Sequence, residues 1–208
     1  MKFAILVFTI AAVGGCRTKD HSANTLADSS SVSVPHIDQN CQDQLVKVRP
    51  NFGLQELRQS CRDAGTDCVV DLAKAQPSFN GQSLNQACVS DTNNCAGRLS
   101  SIRIRFGAQE LKQSCRDAGA DCVVDLAKAQ PSFNGQSLHQ ACVSDTNNCA
   151  GRLSSIRTRF GAQELRQACA MVDADCVLDL AHKNPNLNGQ ELNSDCKDKS
   201  YIPRVRAP

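Results

Sequence analysis

The sequence predicts an all-α chain: six helical hairpins, each closed by its own disulfide, stacked as an α-solenoid-like array. Three observations point there. Twelve of the thirteen cysteines run from Cys41 to Cys196 at separations of alternately 20 and 7 residues. The 27-residue units so marked out carry leucine at the fifth position (Leu45, Leu72, Leu99, Leu126, Leu153, Leu180) and at the seventeenth (Leu57, Leu84, Leu111, Leu138, Leu165, Leu192). Between the two halves lies a turn segment such as Pro77-Ser78-Phe79-Asn80-Gly81, with an aromatic at the twelfth position in five units and Leu187 in the sixth.

The chain begins with MKFAILVFTIAAVGGC. Lys2 supplies a positive start, Phe3 to Val13 an apolar segment, and Gly14-Gly15 the small residues of a cleavage site. Eleven apolar residues are too few to cross a bilayer, which takes about 20. Residues 1–15 are therefore expected to be a signal peptide. Val13-Gly14-Gly15-Cys16 resembles a bacterial lipobox, and that resemblance implies lipidation of Cys16 and anchoring of the mature chain to a membrane. Cysteine arithmetic agrees, because the other twelve tile the repeats in pairs and Cys16 is left over. An ordinary secretion signal with a chance cysteine is the alternative. Residues 16–40 would form the lipidated N-terminus and a tether: they hold no sustained apolar period, a serine cluster, and two solvated histidines, His21 and His36.

Residues 41–202 form the repeat domain. Within each unit, cysteine at position 1 and leucine at position 5 share one helical face. Leucine at 17 and cysteine at 21 share another. Proline ends the first helix, and Asn80 can cap the second. In the odd units Gly53, Gly107 and Gly161 take that cap position. Glu56, Glu110 and Glu164 follow three residues on, which suits the positive end of a helix dipole. An antiparallel hairpin brings positions 1 and 21 together, so the expected bridges are Cys41–Cys61, Cys68–Cys88, Cys95–Cys115, Cys122–Cys142, Cys149–Cys169 and Cys176–Cys196. The rival pairing, seven apart, would strand Cys41 and Cys196. Each staple closes a loop of about 20 residues and contributes roughly 3 kcal/mol. A hairpin with so few large apolar groups needs that support, and it needs neighbours to cover its open face. The disulfide-bridged Sel1-like repeats of bacteria offer an architectural analogy, although their repeat length and cysteine spacing differ.

Odd and even units differ, giving a 54-residue double repeat, and residues 68–121 and 122–175 match at 46 of 54 positions. Growth by tandem copying suits a surface or spacer better than a unique catalytic pocket. Residues 203–208 form a short C-terminal tail.

Composition narrows the chemistry. Thirteen cysteines, seven Phe, one Tyr and no Trp belong to an oxidising compartment, where disulfides compensate for a thin core. A formal net charge of +2 gives no reason to expect nucleic acid as a partner. Intervals of C-x19-C and C-x6-C are not those of zinc sites, so no metal is expected. Nor is a cofactor, since no phosphate loop or nucleophile elbow appears. Only His139 and His182 fall in the repeats, and His139 replaces the Asn85 of the equivalent unit, as neutral drift at an exposed site would.

Three features are candidates for recognition. Gln recurs at position 15 in all six units (Gln55, Gln82, Gln109, Gln136, Gln163, Gln190). It could form an amide ladder between hairpins, bond the preceding turn, or face a polar ligand such as a glycan. Position 4 runs Gln44, Asp71, Arg98, Asp125, Arg152, Asp179, as if Arg98 bridged Asp71 and Asp125. Arg103, Arg105, Arg157 and Arg159 flank the turns of two odd hairpins. They make either a solvated edge or a docking edge for an acidic polysaccharide.

The function expected from all this is a non-catalytic interaction or spacer module, exported and lipid-anchored at a bacterial cell envelope, in the periplasm or at the cell surface. Its partners would be the membrane, through the lipid, and an acidic polysaccharide or an envelope protein. The alternatives are an envelope enzyme or enzyme inhibitor, and a secreted, unlipidated antigen- or toxin-like protein.

Overall fold

Twelve helices in six hairpins make up a computed structural model that describes residues 38–91, 93–145 and 147–198. The expected signal peptide, Cys16, most of the expected tether and the expected tail at residues 203–208 lie outside those residues. The hairpins pair α1 (Gln39–Val48) with α2 (Leu54–Ser60), α3 (Thr66–Ala75) with α4 (Gly81–Cys88), and α5 (Cys95–Ser100) with α6 (Ala108–Cys115). They continue with α7 (Ala120–Ala129) and α8 (Gly135–Cys142), α9 (Cys149–Ile156) and α10 (Ala162–Cys169), and α11 (Ala174–Lys183) and α12 (Gly189–Asp198).

All six disulfides join cysteines 20 apart, with Cα–Cα distances of 5.7–5.9 Å. Each therefore staples the open end of one hairpin, as the spacing predicts. First helices pack on first helices, and second helices on second helices, in two parallel layers. The leucines at positions 5 and 17 fill the space between the layers. All are fully buried except Leu57, which is nearly so, and Leu180, which is half-buried in the last described hairpin. This is the architecture of a helical repeat array, in which each unit completes its core only against the next.

Local chemistry sets the ends of the helices. After α3, Gln76 donates its backbone N–H to Leu72 O (2.8 Å), and Pro77 cannot continue the helix. Asn80 and Asn134 then open α4 and α8 by accepting from Ser83 N and Ser137 N, each at 2.9 Å. The first helices α5 and α9 are capped from further away. Asp91 accepts from Cys95 N (3.0 Å) and Ala96 N (2.8 Å), and Asp145 does the same for α9. Between these aspartates and the helices, Asn94 and Asn148 take the left-handed conformation at φ 53°, which asparagine tolerates better than most residues.

Neighbouring hairpins approach closely at different places. From odd to even, the contact is in the second-helix layer, where a Cβ on Gly135 would lie 2.7 Å from Glu110 O. From even to odd, it is in the first-helix layer, where a Cβ on Gly151 would lie 3.1 Å from Cys122 O and 2.1 Å from Asn148 Oδ1. Glycine is the residue that fits such contacts.

Candidate binding face

At the hairpin tips, position 9 reaches forward onto the next hairpin. Arg103 donates through Nη2 to Gln130 O (2.6 Å) and through Nη1 to Pro131 O. Arg49 does the same to Gln76 O and Pro77 O, and Arg157 to Asn184 O and Pro185 O. These carbonyls lie at the end of a first helix, where the dipole is negative and acceptors are unfilled. Each guanidinium also lies over a phenylalanine of its own hairpin: Phe52 at 5.4 Å, Phe106 at 5.7 Å and Phe160 at 5.8 Å. Burial pushes the Arg103 guanidinium below its ordinary pKa, with Glu110 pulling the other way. In even hairpins glutamine takes over the clasp. Gln76 Nε2 donates to Ile104 O and Gln130 Nε2 to Thr158 O, both at 2.9 Å.

The expected docking edge at the tips is accordingly divided. Arg103 and Arg157 are half-buried and engaged inside the array, while Arg105 and Arg159 are exposed. The two arginines of each pair thus sit in different surroundings, one engaged by the next hairpin and one in solvent, so the four do not form one edge.

The charge series at position 4 is also displaced. Arg98 Nη2 pairs with Asp121 (2.7 Å) and Arg152 Nη2 with Asp175 (2.9 Å), each partner lying one helical turn before Asp125 or Asp179. Helical side chains lean toward the N-terminus, so a long one meets its neighbour a turn earlier than equal numbering suggests. Asp71 and Asp125 instead accept from Asn94 Nδ2 (2.9 Å) and Asn148 Nδ2 (2.8 Å) and pair with Lys74 and Lys128.

The glutamates at the starts of α2 and α6 do more than face a dipole. Glu56 Oε1 accepts from Gly81 N and Glu110 Oε1 from Gly135 N, each at 3.1 Å, so each carboxylate caps the second helix of the following hairpin. Nor is His139 at an exposed site. It is half-buried, with no hydrogen-bond partner for Nδ1 among the described residues. Asn85 at the equivalent place donates to Arg62 O, and Asn193 donates to Ala170 O (2.8 Å), both in the preceding hairpin.

The second-helix layer presents a distinct outer surface. All six position-15 glutamines are exposed. The only hydrogen bond any of their side chains makes to described residues is Gln86 Nε2 to Gln109 Oε1, at 3.3 Å. The donor there, Gln86, stands at position 19. That position is glutamine in five hairpins (Gln59, Gln86, Gln113, Gln140, Gln167) and Ser194 in the last. Four residues apart on a helix, positions 15 and 19 share one face, so two columns of amides run along the array. Position 18 lies on the same arc. Its odd members, Arg58, Lys112 and Arg166, are exposed and have no hydrogen-bond or ion-pair partner among the described residues. Of its even members, Asn85 and Asn193 bond back to the preceding hairpin, and His139 is half-buried. Over the six hairpins these three positions hold eleven glutamines, three cations and no carboxylate. Between α2 and α4 the surface dips into a groove of about 370 Å³ lined by Gln55, Gln59, Asn80 and Gln82 together with Glu56, whose carboxylate accepts from Gly81 N.

Two further hollows lie at the cysteine end, one of about 340 Å³ among Asp91, Asn93, Asp117 and Asp145 and one of about 640 Å³ among Asn93, Arg98, Asp121 and Asp145. The carboxylates of Asp91 and Asp145 are occupied there by the backbone N–H groups they cap. Among the described residues no group of three or more His, Cys, Asp or Glu could hold a metal ion, and no helix is long and apolar enough to cross a membrane. Six disulfides are characteristic of an oxidising environment, extracellular or periplasmic. No known protein family matches this chain, and comparison with curated proteins and with solved structures yields no match.

Proposed function

We propose that the chain is an exported, non-catalytic interaction module, anchored at a bacterial cell envelope by lipid on Cys16, with its repeat array held off the membrane by residues 17–40. The observation that carries the reading is the uniformity of the surface. Its grooves are lined by residues that recur from hairpin to hairpin, such as Asp91 and Asp145 or Gln55 and Gln82, and recurrence suits a partner that is itself extended or repetitive. Four of the carboxylates are engaged in capping: Asp91, Asp145, Glu56 and Glu110 all accept backbone N–H groups. The anchor rests on the leader and on the one cysteine outside the repeats.

Metabolic labelling with a radioactive fatty acid tests the anchor. The native chain is expected to take up label and sediment with membranes. The Cys16→Ala variant is expected to take up none and to appear in the soluble fraction. Equal sedimentation of the two forms would contradict the anchor.

A further inference from the structure

Even and odd hairpins have little in common. Aligned unit to unit, residues 68–94 and 95–121 agree at seven positions only: the two cysteines, the two leucines, the phenylalanine, and glutamine at 15 and 19. The first five build the core, since the cysteines form the staple, the leucines are fully buried and Phe79 and Phe106 pack against them. The glutamines build nothing visible. Apart from the Gln86–Gln109 bond, their amides have no partner among the described residues. Helix propensity does not select them, because lysine, arginine and glutamate form helices as well as glutamine does, and elsewhere on the array those residues are used freely. Position 15 is the only one held in all six hairpins that is neither cysteine nor leucine.

We infer that the outer face of α2, α4, α6, α8, α10 and α12 is a binding surface for a linear acidic polysaccharide. The inference rests on the non-catalytic reading above and gives that reading a surface and a ligand class. An amide both donates and accepts, which matches sugar hydroxyl and N-acetyl groups without demanding one orientation. The columns advance one hairpin at a time, about 8–10 Å, a step comparable to one disaccharide of an extended glycan. Arg58, Lys112 and Arg166 add a cation every second hairpin, without an ion-pair partner among the described residues, and positions 15, 18 and 19 carry no carboxylate. The groove between α2 and α4 gives the chain a seat at one end, where the one carboxylate in the lining, Glu56, is bonded to Gly81 N. Each contact is weak, and affinity comes from engaging many at once.

The same composition disfavours other polymers. A nucleic acid would call for a denser basic track and for aromatic platforms, but the described phenylalanines are all packed against the core. A protein partner would call for apolar or aromatic anchors; of the exposed large apolar side chains, Val46, Ile104 and Met171 lie off the second helices, and Leu54, at the start of α2, is the single one beside the arc.

Hyaluronan is a suitable probe, being linear, with one carboxylate per disaccharide and an N-acetyl group between. The purified, oxidised full chain is titrated with hyaluronan fragments at low and moderate salt, beside neutral chitin oligosaccharides and a DNA duplex. Hyaluronan is expected to bind, and to bind several-fold more weakly at moderate salt. The triple variant Arg58→Gln, Lys112→Gln, Arg166→Gln is expected to bind at least tenfold more weakly and to lose most of the salt dependence. The quadruple variant Gln55→Ala, Gln59→Ala, Gln82→Ala, Gln86→Ala should weaken binding at every salt concentration. Arg105→Gln with Arg159→Gln should leave it unchanged. These side chains are exposed or half-exposed, and far-ultraviolet circular dichroism checks that each variant folds. No hyaluronan binding, equal binding of chitin oligosaccharides, preference for DNA, or unchanged binding by the triple and quadruple variants would each overturn the inference. Fatty-acid labelling is read separately, so a labelled chain that fails to bind hyaluronan refutes the ligand and leaves the anchor standing.

Discussion

The joint from an odd hairpin to the next even one differs from the joint that follows it. Odd to even, an arginine clasps the next tip, a glutamate caps the next second helix, and Gly81 or Gly135 lets the second helices meet. Even to odd, a glutamine makes the tip contact, an aspartate holds the asparagine before the next helix, and Gly97 or Gly151 lets the first helices meet. Close contact thus alternates between the two layers. The lesson concerns how the chain grows. A single copied hairpin would place an arginine clasp or a glycine contact against a surface built for the other kind of joint. A copied pair restores both, which explains physically why the duplicated unit is 54 residues long.

The largest effect should come from the odd-to-even clasp. Arg103→Ala removes two charge-assisted bonds and leaves Gln130 O and Pro131 O short of donors. A loss of about 1.5–3 kcal/mol is expected in denaturant unfolding. Arg103→Lys should not restore it, because an ammonium lacks the fork that spans two carbonyls. The corresponding even-to-odd change, Gln130→Ala, removes one neutral bond and should cost about 1 kcal/mol. Equal losses at the two joints would break the comparison.

Gly135→Ala sharpens it further. The new methyl would press on the Glu110 backbone and on Ser114 Oγ, 2.9 Å away, at a cost of about 1–3 kcal/mol. Gly107 has nothing within 4 Å of the same added atom, so Gly107→Ala should lose only the cap difference, under about 1 kcal/mol.

At the same joint, His139→Asn should stabilise by about 0.5–1.5 kcal/mol. It supplies the side-chain amide that Asn85 uses to reach the preceding hairpin. A variant no more stable than the native chain would show that the histidine already has its partner in solution.

The smallest effect belongs to an exposed ion pair across an odd-to-even joint. Arg98→Gln breaks the pair with Asp121, both side chains being well exposed. A loss of about 0.2–1 kcal/mol is expected, vanishing at high salt. A loss that persisted at high salt would mean that Arg98 contributes through packing instead.

The fold was legible because its determinants are periodic. Cysteine and leucine at fixed intervals define staples and core, and the geometry of a hairpin leaves one sensible pairing. What could not be read was which neighbour each polar side chain reaches. Arg103 and Arg105 look alike in sequence, yet one turns into the array and the other into solvent. Arg98 stands opposite Asp125 by number but meets Asp121, because helical side chains lean backward. The clasp at position 9 left a signal, the alternation Arg49, Gln76, Arg103, Gln130, Arg157, Asn184, which only the structure makes intelligible. The second amide column left one too, in the glutamines two residues before five of the six second-helix cysteines. Met171 shows the limit of the periodic argument. It is 98% exposed and left-handed at φ 58°, in a place where Asp63 and Asp117 adopt the same conformation, and nothing in the structure explains why methionine is there.

Every joint described above depends on which cysteines are bonded. Peptide mapping of the unreduced chain, after free thiols are blocked, tests this most directly. Six bridges are expected, each between cysteines 20 residues apart, with no free thiol between Cys41 and Cys196. Bridges between cysteines seven apart, such as Cys61 with Cys68 or Cys88 with Cys95, would contradict the hairpin register and with it the odd and even joints.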